Sequence, residues 1–141
     1  MKLPVSDIYN CSVIELSKIH NPAGNITIIQ NGDFLPFDVR RVFYIYDIPS
    51  GSDRGGHAHK DLHQLLVAAS GSFDVILDDG FKKKIVNLNR PNYGLHIVPG
   101  VWGEIVNFSS GAICLVLASQ KYSEQEYIRT YEDFLIWKSL K

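Results

Sequence analysis

Short apolar runs separated by frequent turn signals make up most of the chain, and the spacing between them is that of strands. Ile26-Thr27-Ile28-Ile29 is a β-branched run that follows the turn Asn21-Pro22-Ala23-Gly24-Asn25. Val39 to Tyr46 is rich in Val, Phe, Tyr and Ile and predicts a second strand. A Gly- and Ser-rich loop, Pro49 to Gly56, leads into His57 to Ser70, part of which reads as strand. The clearest hairpin runs from Ser72-Phe73-Asp74-Val75-Ile76-Leu77-Asp78 through Asp79-Gly80 into Phe81 to Leu88. Asp-Gly suits a two-residue turn in which both central residues take positive φ. His96-Ile97-Val98 is a further short strand, closed by Pro99-Gly100, and Ala112 to Ser119, apolar up to its final serine, predicts a central one.

The period changes near the C-terminus. Ser123 with Glu126 three residues on has the form of a capping box. After it Tyr127, Ile128, Tyr131, Phe134 and Leu135 recur at three- and four-residue spacing, which predicts an amphipathic helix docked on the strands. Eight to ten short strands and one terminal α-helix predict an all-β jelly roll or sandwich. The 141 residues form one domain, 1–141, with no repeat, linker or low-complexity segment.

Composition narrows the function. The chain is 45% hydrophobic, with 14 basic and 15 acidic residues, so nothing in its charge argues for nucleic acid or an anionic membrane. No apolar run approaches the roughly 20 residues that span a bilayer. Met1 to Asp7 lacks the apolar core of a signal peptide, which makes a cytoplasmic protein the expectation. Cys11 and Cys114 sit in apolar or small-residue stretches outside any Cys-x-x-Cys pair and are expected as buried free thiols.

The informative segment is Arg54-Gly55-Gly56-His57-Ala58-His59-Lys60. On a strand, residues two apart face one side at about 6.6–7 Å, so His57 and His59 converge on one space. Two imidazoles there suit proton abstraction and return near neutral pH. A His-x-His pair is also a common metal-ligand pair, and that alternative has to be weighed.

The segment resembles the first cupin motif: His-x-His, four residues, an acidic ligand, six residues, then Gly. Here Gln64 stands in the acidic position and Gly71 closes the motif. The second cupin motif is matched by Pro99-Gly100 and Asn107, but Gly103 occupies its histidine slot. Two of four usual ligands are absent, so no metal is expected. His63, next to Gln64, should face the opposite side of a regular strand.

Across roughly Ile14 to Phe134 the chain resembles the sugar 3,4-ketoisomerases that act on dTDP-4-keto-6-deoxyglucose. The matching pieces are Pro36 to Ile45, Arg54 to Lys60, Ile76 to Gly80, Gly94-Leu95, Pro99 to Trp102, Val116 to Ser119 and Tyr127-Ile128-Arg129. The resemblance implies a metal-free cupin that needs no cofactor. It implies a homodimer with exchanged N-terminal strands, and a dTDP-linked keto sugar whose ketone moves from C4 to C3 in amino-sugar synthesis. It gives His57 and His59 the proton transfers, without saying which is base and which acid. Arg41, Phe43, Tyr44, Arg54, Gln64, Trp102 and Asn107 are the candidate substrate-binding residues. Trp102 has two readings, stacking on the nucleotide base or packing in the core. Family members often carry Tyr at the Phe43 position, where a hydroxyl assists proton transfer; either Tyr44 or a water covers the role here, or the role is dispensable. Ala23 and Gly103 fall where relatives carry larger side chains that bear on C4 stereochemistry. The competing readings are a metal-dependent cupin enzyme and a non-catalytic nucleotide-sugar-binding cupin.

Overall fold

The computed structural model describes residues 6–49 and 51–140. Ten strands form two antiparallel five-stranded sheets, followed by one α-helix. The strands are β1 (Ser12–Glu15), β2 (Arg41–Ile45), β3 (Arg54–His59), β4 (Gln64–Ser70), β5 (Phe73–Asp78), β6 (Lys83–Leu88), β7 (Tyr93–Ile97), β8 (Trp102–Val106), β9 (Ile113–Ala118) and β10 (Tyr127–Ile128). The helix α1 is Tyr131–Ser139. One sheet has the order β1-β7-β4-β9-β2 and the other β10-β3-β8-β5-β6. This is the all-β jelly roll with a C-terminal helix that the pattern predicts.

Strand composition follows from which faces are covered. β5 alternates between buried and partly buried positions and sends Phe73, Val75 and Leu77 into the space between the sheets. There they meet Leu66, Leu95, Cys114 and Val116 from the other sheet. β4 and β9 are nearly continuous in apolar residues because both of their faces are covered. Their outward residues Leu65, Val67 and Leu117 are roofed by Leu16, Ile29, Leu35, Phe37 and Val39. Cys11 and Cys114 are buried and free, as expected. Among the described residues no helix is long and apolar enough to cross a membrane.

Three local expectations are corrected. Asp79-Gly80 does lie in a hairpin loop, but β5 and β6 pair through Asp78 and Lys83, so the loop has four residues. Only Gly80 takes positive φ (91°), and Asp79 does not. The Asp79 carboxylate instead organises the loop, accepting from the amides of Phe81 (2.9 Å) and Lys82 (2.8 Å), and it also accepts from that of Ile8 (3.0 Å). The run Ile26–Ile29 forms no strand. It makes one isolated bridge, Ile26 to Ile19, and leaves Ile26 and Ile28 exposed, so a short run without a sheet neighbour stays irregular.

The third correction moves the helix. Ser123 makes no side-chain cap, and only a single 3-10 turn, Glu124–Glu126, follows it. Tyr127 and Ile128 then pair with His59 and Ala58 as strand β10. The helix starts at Tyr131, where the Thr130 hydroxyl accepts from the Asp133 amide at 3.2 Å. Glu126 does not close a capping box. Its carboxylate accepts from the amides of Asp61 and Leu62 and fixes the loop after His59.

Candidate active site

β3 carries the two histidines into the barrel. The stretch Arg54-Gly55-Gly56, expected as loop, is already strand, with an irregular register against β8 between Arg54 and His57. His57 and His59 point to the same side, with ring centroids 5.0 Å apart and planes at 84°. The backbone after them is tied down on three sides. His59 O accepts from Gly100 N at 2.8 Å, Lys60 N donates to Glu126 O at 3.2 Å, and His63 N donates to Ser119 Oγ at 2.8 Å.

His57 opens onto a cavity of about 720 Å3. Its walls include Phe43, Arg54, Gly103, Ile105, Tyr127 and Arg129. Behind it lies a recess of about 30 Å3 lined by His57, His59, Gln64, Leu66, Val75 and Gly103 among others. His59 is 5% exposed and its Nε2 is hydrogen-bonded to the Gln64 side-chain amide at 2.6 Å. Its Nδ1 is buried and has no hydrogen-bond partner among the described residues. Burial is the main cause that pushes His59 down to about 3, helped by the neighbouring His57, Arg41 and Arg129. His57 is lowered as well, chiefly by burial, against a hydrogen bond to the Gly55 backbone that favours its charged form. Both imidazoles are therefore neutral at pH 7 and able to accept a proton. An amide at position 64, unlike a carboxylate, brings no charge that would hold either one protonated.

Of the residues named from sequence, Arg41, Phe43, Arg54 and Gln64 gather around the histidines. Arg41 packs its guanidinium 5.1 Å from the Phe43 ring and 5.6 Å from that of Tyr122. Tyr44 stands at the cavity rim, 60% exposed, with its ring 5.6 Å from that of Tyr46. Trp102 does not line the cavity. It is 5% exposed and packs against Ala58, Ile128 and Phe134, with Nε1 donating to Glu104 at 3.0 Å. Asn107 is not brought to the site. It takes positive φ (56°) and donates to Asp74 at 2.9 Å. Gly103 faces the cavity, and a Cβ there would meet only Ile97 within 4 Å, at 3.9 Å, so that slot is open. Ala23 lies in an exposed turn.

His63 turns away from His57 and His59 as its position predicts. Its Nδ1 is 2.9 Å from His96 Nε2, and both rings pack on Phe37. Among the described residues no three His, Cys, Asp or Glu side chains come together as a metal-ligand set.

Sequence reasoning missed Tyr127, which the helical spacing had assigned to a docked helix. Its ring lies 4.5 Å from that of His59 and 5.4 Å from that of His57, and Arg41 Nη2 donates to its hydroxyl at 3.4 Å. Arg129 stacks on the same ring at 4.3 Å and is gripped by Glu124 through Nε (2.5 Å) and Nη2 (2.7 Å). The available signal was period: Tyr127 and Ile128 also fit a two-residue strand before a Thr cap.

The family model FdtA (WxcM-like, C-terminal) matches residues 9–139. The chain is 43% identical over 122 residues to a TDP-4-oxo-6-deoxy-alpha-D-glucose-3,4-oxoisomerase of Aneurinibacillus thermoaerophilus, covering 86% of this chain and 88% of that one. Among solved structures it is similar to QdtA, a sugar 3,4-ketoisomerase from Thermoanaerobacterium thermosaccharolyticum in complex with TDP. That match has a TM-score of 0.91, 38% identity, and covers 95% of this chain and 98% of QdtA. The WlaRB TDP-quinovose 3,4-ketoisomerase from Campylobacter jejuni matches with a TM-score of 0.86 and 44% identity, covering 92% and 99%.

Proposed function

Because the chain belongs to the FdtA family (WxcM-like, C-terminal), we propose that it is a sugar 3,4-ketoisomerase that moves the ketone of dTDP-4-keto-6-deoxyglucose from C4 to C3. The observation that carries the reading is the pair His57 and His59 on one face of β3: two neutral imidazoles, His57 half-buried and opening on a cavity of about 720 Å3, His59 buried behind it. A proton on the carbon beside a ketone is acidified. A neutral imidazole removes it from C3, the electron pair forms an enediol, and a proton returned to C4 completes the shift. Burial raises the worth of every donor that faces the developing oxyanion.

Arg54 and Arg129 line the cavity and supply the positive charge that a nucleoside diphosphate needs. Arg54 makes no ion pair with another described residue, so its guanidinium is available to phosphate oxygens. Phe43 contributes apolar wall and Gln64 holds His59. The proposal includes a cytoplasmic homodimer. The dimer is supported by β2, an edge strand that leaves Val42 and Tyr44 more than half exposed, with Tyr46 just beyond it equally so, near 55–60%.

The test is proton NMR of the purified protein with dTDP-4-keto-6-deoxyglucose in D2O, beside His59→Asn. The expected result is loss of the C3 proton signal and growth of a 3-keto species, both sharply slowed in the variant. Exchange at C5 would instead indicate an epimerase. No exchange at all with folded protein would refute the assignment.

A further inference from the structure

A 3,4-ketone shift relocates two protons. One travels between carbons, from C3 to C4. The other travels between oxygens, because the C3 hydroxyl becomes a carbonyl while the C4 carbonyl becomes a hydroxyl. Two imidazoles account for the first. The second needs a group that gives a proton to one oxygen and takes one from its neighbour.

Among the described residues the hydroxyl side chains lining the cavity are Tyr44, Tyr46 and Tyr127. Tyr44 and Tyr46 are 60% and 58% exposed, and their tilted rings pack 5.6 Å apart at the rim. Tyr127 alone touches both histidine rings, at 4.5 and 5.4 Å. We propose that Tyr127 is a catalytic residue that carries the oxygen-bound proton between O3 and O4, while His57 and His59 carry the carbon-bound one. This rests on the ketoisomerase reading above.

The atoms balance. A histidine takes the C3 proton, the C–H electron pair forms the C3=C4 double bond, and the C4 oxygen takes the Tyr127 proton. The result is an enediol, an imidazolium and a tyrosinate. The tyrosinate then removes the C3 hydroxyl proton, the C3–O bond becomes the carbonyl, and the double-bond electrons take a proton at C4 from the imidazolium. All three side chains return to their starting forms.

Two guanidinium groups stand against Tyr127. Arg41 Nη2 already donates to the phenol oxygen at 3.4 Å, so departure of the proton leaves a paired anion. The Arg129 guanidinium 4.3 Å from the ring adds to this. Glu124 holds Arg129 there through two hydrogen bonds, 2.5 and 2.7 Å.

The test is Tyr127→Phe, which keeps the ring contacts and removes only the hydroxyl, assayed in D2O for two rates at once. Deuterium exchange at C3 reads the carbon step; appearance of the 3-keto sugar reads the whole shift. Isomerisation is expected to fall by about 100-fold or more while exchange falls less than about tenfold. Tyr127 replaced by 3,5-difluorotyrosine is expected to keep turning over but with the alkaline limb of its kcat–pH profile at lower pH, since fluorination acidifies the phenol. Wild-type isomerisation in Tyr127→Phe, equal falls in both rates, or an unmoved alkaline limb would each overturn the shuttle. Absence of exchange in the unmodified enzyme would be a failure of the ketoisomerase reading instead.

Discussion

Gly56→Ala isolates the packing that aims His57. Gly56 lies outside the left-handed region, so alanine meets no backbone strain there. The obstacle is Trp102: a Cβ at position 56 would stand 2.6 Å from both Cε2 and Nε1 of the indole, where ordinary contact begins near 3.4 Å. The indole cannot retreat easily. It is 5% exposed, lies 5.8 Å from the Phe134 ring and 5.6 Å from the Tyr131 ring, and is anchored by Nε1 to Glu104 at 3.0 Å. Overpacking of this kind costs about 1–3 kcal/mol. At this chain length each kcal/mol lowers Tm by about 3–4 °C, so a fall of about 3–12 °C is expected. If the strand yields instead of the indole, His57 moves with it, and a displacement near 1 Å costs on the order of 100-fold in kcat. Thermal melts and steady-state turnover measure both effects. Trp102→Leu removes the clashing atoms, so the double variant should be more stable than the sum of the single losses by about 1 kcal/mol or more. A Gly56→Ala protein melting within a degree of the parent with unchanged kcat, or strict additivity in the cycle, would refute the reasoning.

Acid stability follows from the buried histidines. A histidine whose folded pKa lies below its unfolded 6.5 takes up its proton more readily when unfolded, so stability is intact above pH 6.5 and is lost as pH falls toward the folded value. His59, at about 3, and His96, at about 4, should each remove about 2 kcal/mol between pH 7 and pH 5, read as a drop in urea midpoint. His59→Asn should recover about half of that drop; an unchanged pH dependence would disprove its share. The acid limb of kcat/KM should lie below 6.5, and Gln64→Glu should move it upward, because a carboxylate against His59 favours the imidazolium. An unmoved limb in that variant would show that the 64–59 contact does not govern the titration. Glu126→Ala should cost about 1–3 kcal/mol in chemical denaturation by stranding the Asp61 and Leu62 amides, with kcat falling through looser placement of His59.

The strands were legible because their period is written in side chains. β5 and β9 sit within the runs that predicted them, and the His-x-His pair faces the interior because alternation on a strand leaves no other choice. Arg41, Phe43 and Gln64 were named from the resemblance, and their places on β2 and β4 bring them to the histidines. What the sequence did not disclose depends on contacts far along the chain. Tyr127 reads as helix locally and becomes strand only because β3 offers an unpaired edge. Asn107 matches a motif spacing, yet a positive φ at the end of β8 turns it toward Asp74. Trp102 admitted two readings until Phe134 and Ile128 closed over it. The Asp79-Gly80 turn lengthened because the Asp79 side chain had amides from both its own loop and Ile8 to satisfy.

β10 is joined to the barrel by only two paired residues, Tyr127 with His59 and Ile128 with Ala58. What keeps so short a strand in place is the segment after it. Phe134 is fully buried against Ala58, Trp102 and Ile128, and Lys138 Nζ donates to the carbonyls of Gly100 and Ser6. The last helix thus works as a clasp, with its fastening at the far end. Released at Lys138, the chain would peel back through Phe134 to Tyr127 and take one wall of the cavity with it. A tail that looks like an accessory to the barrel closes the compartment in which the two histidines stand.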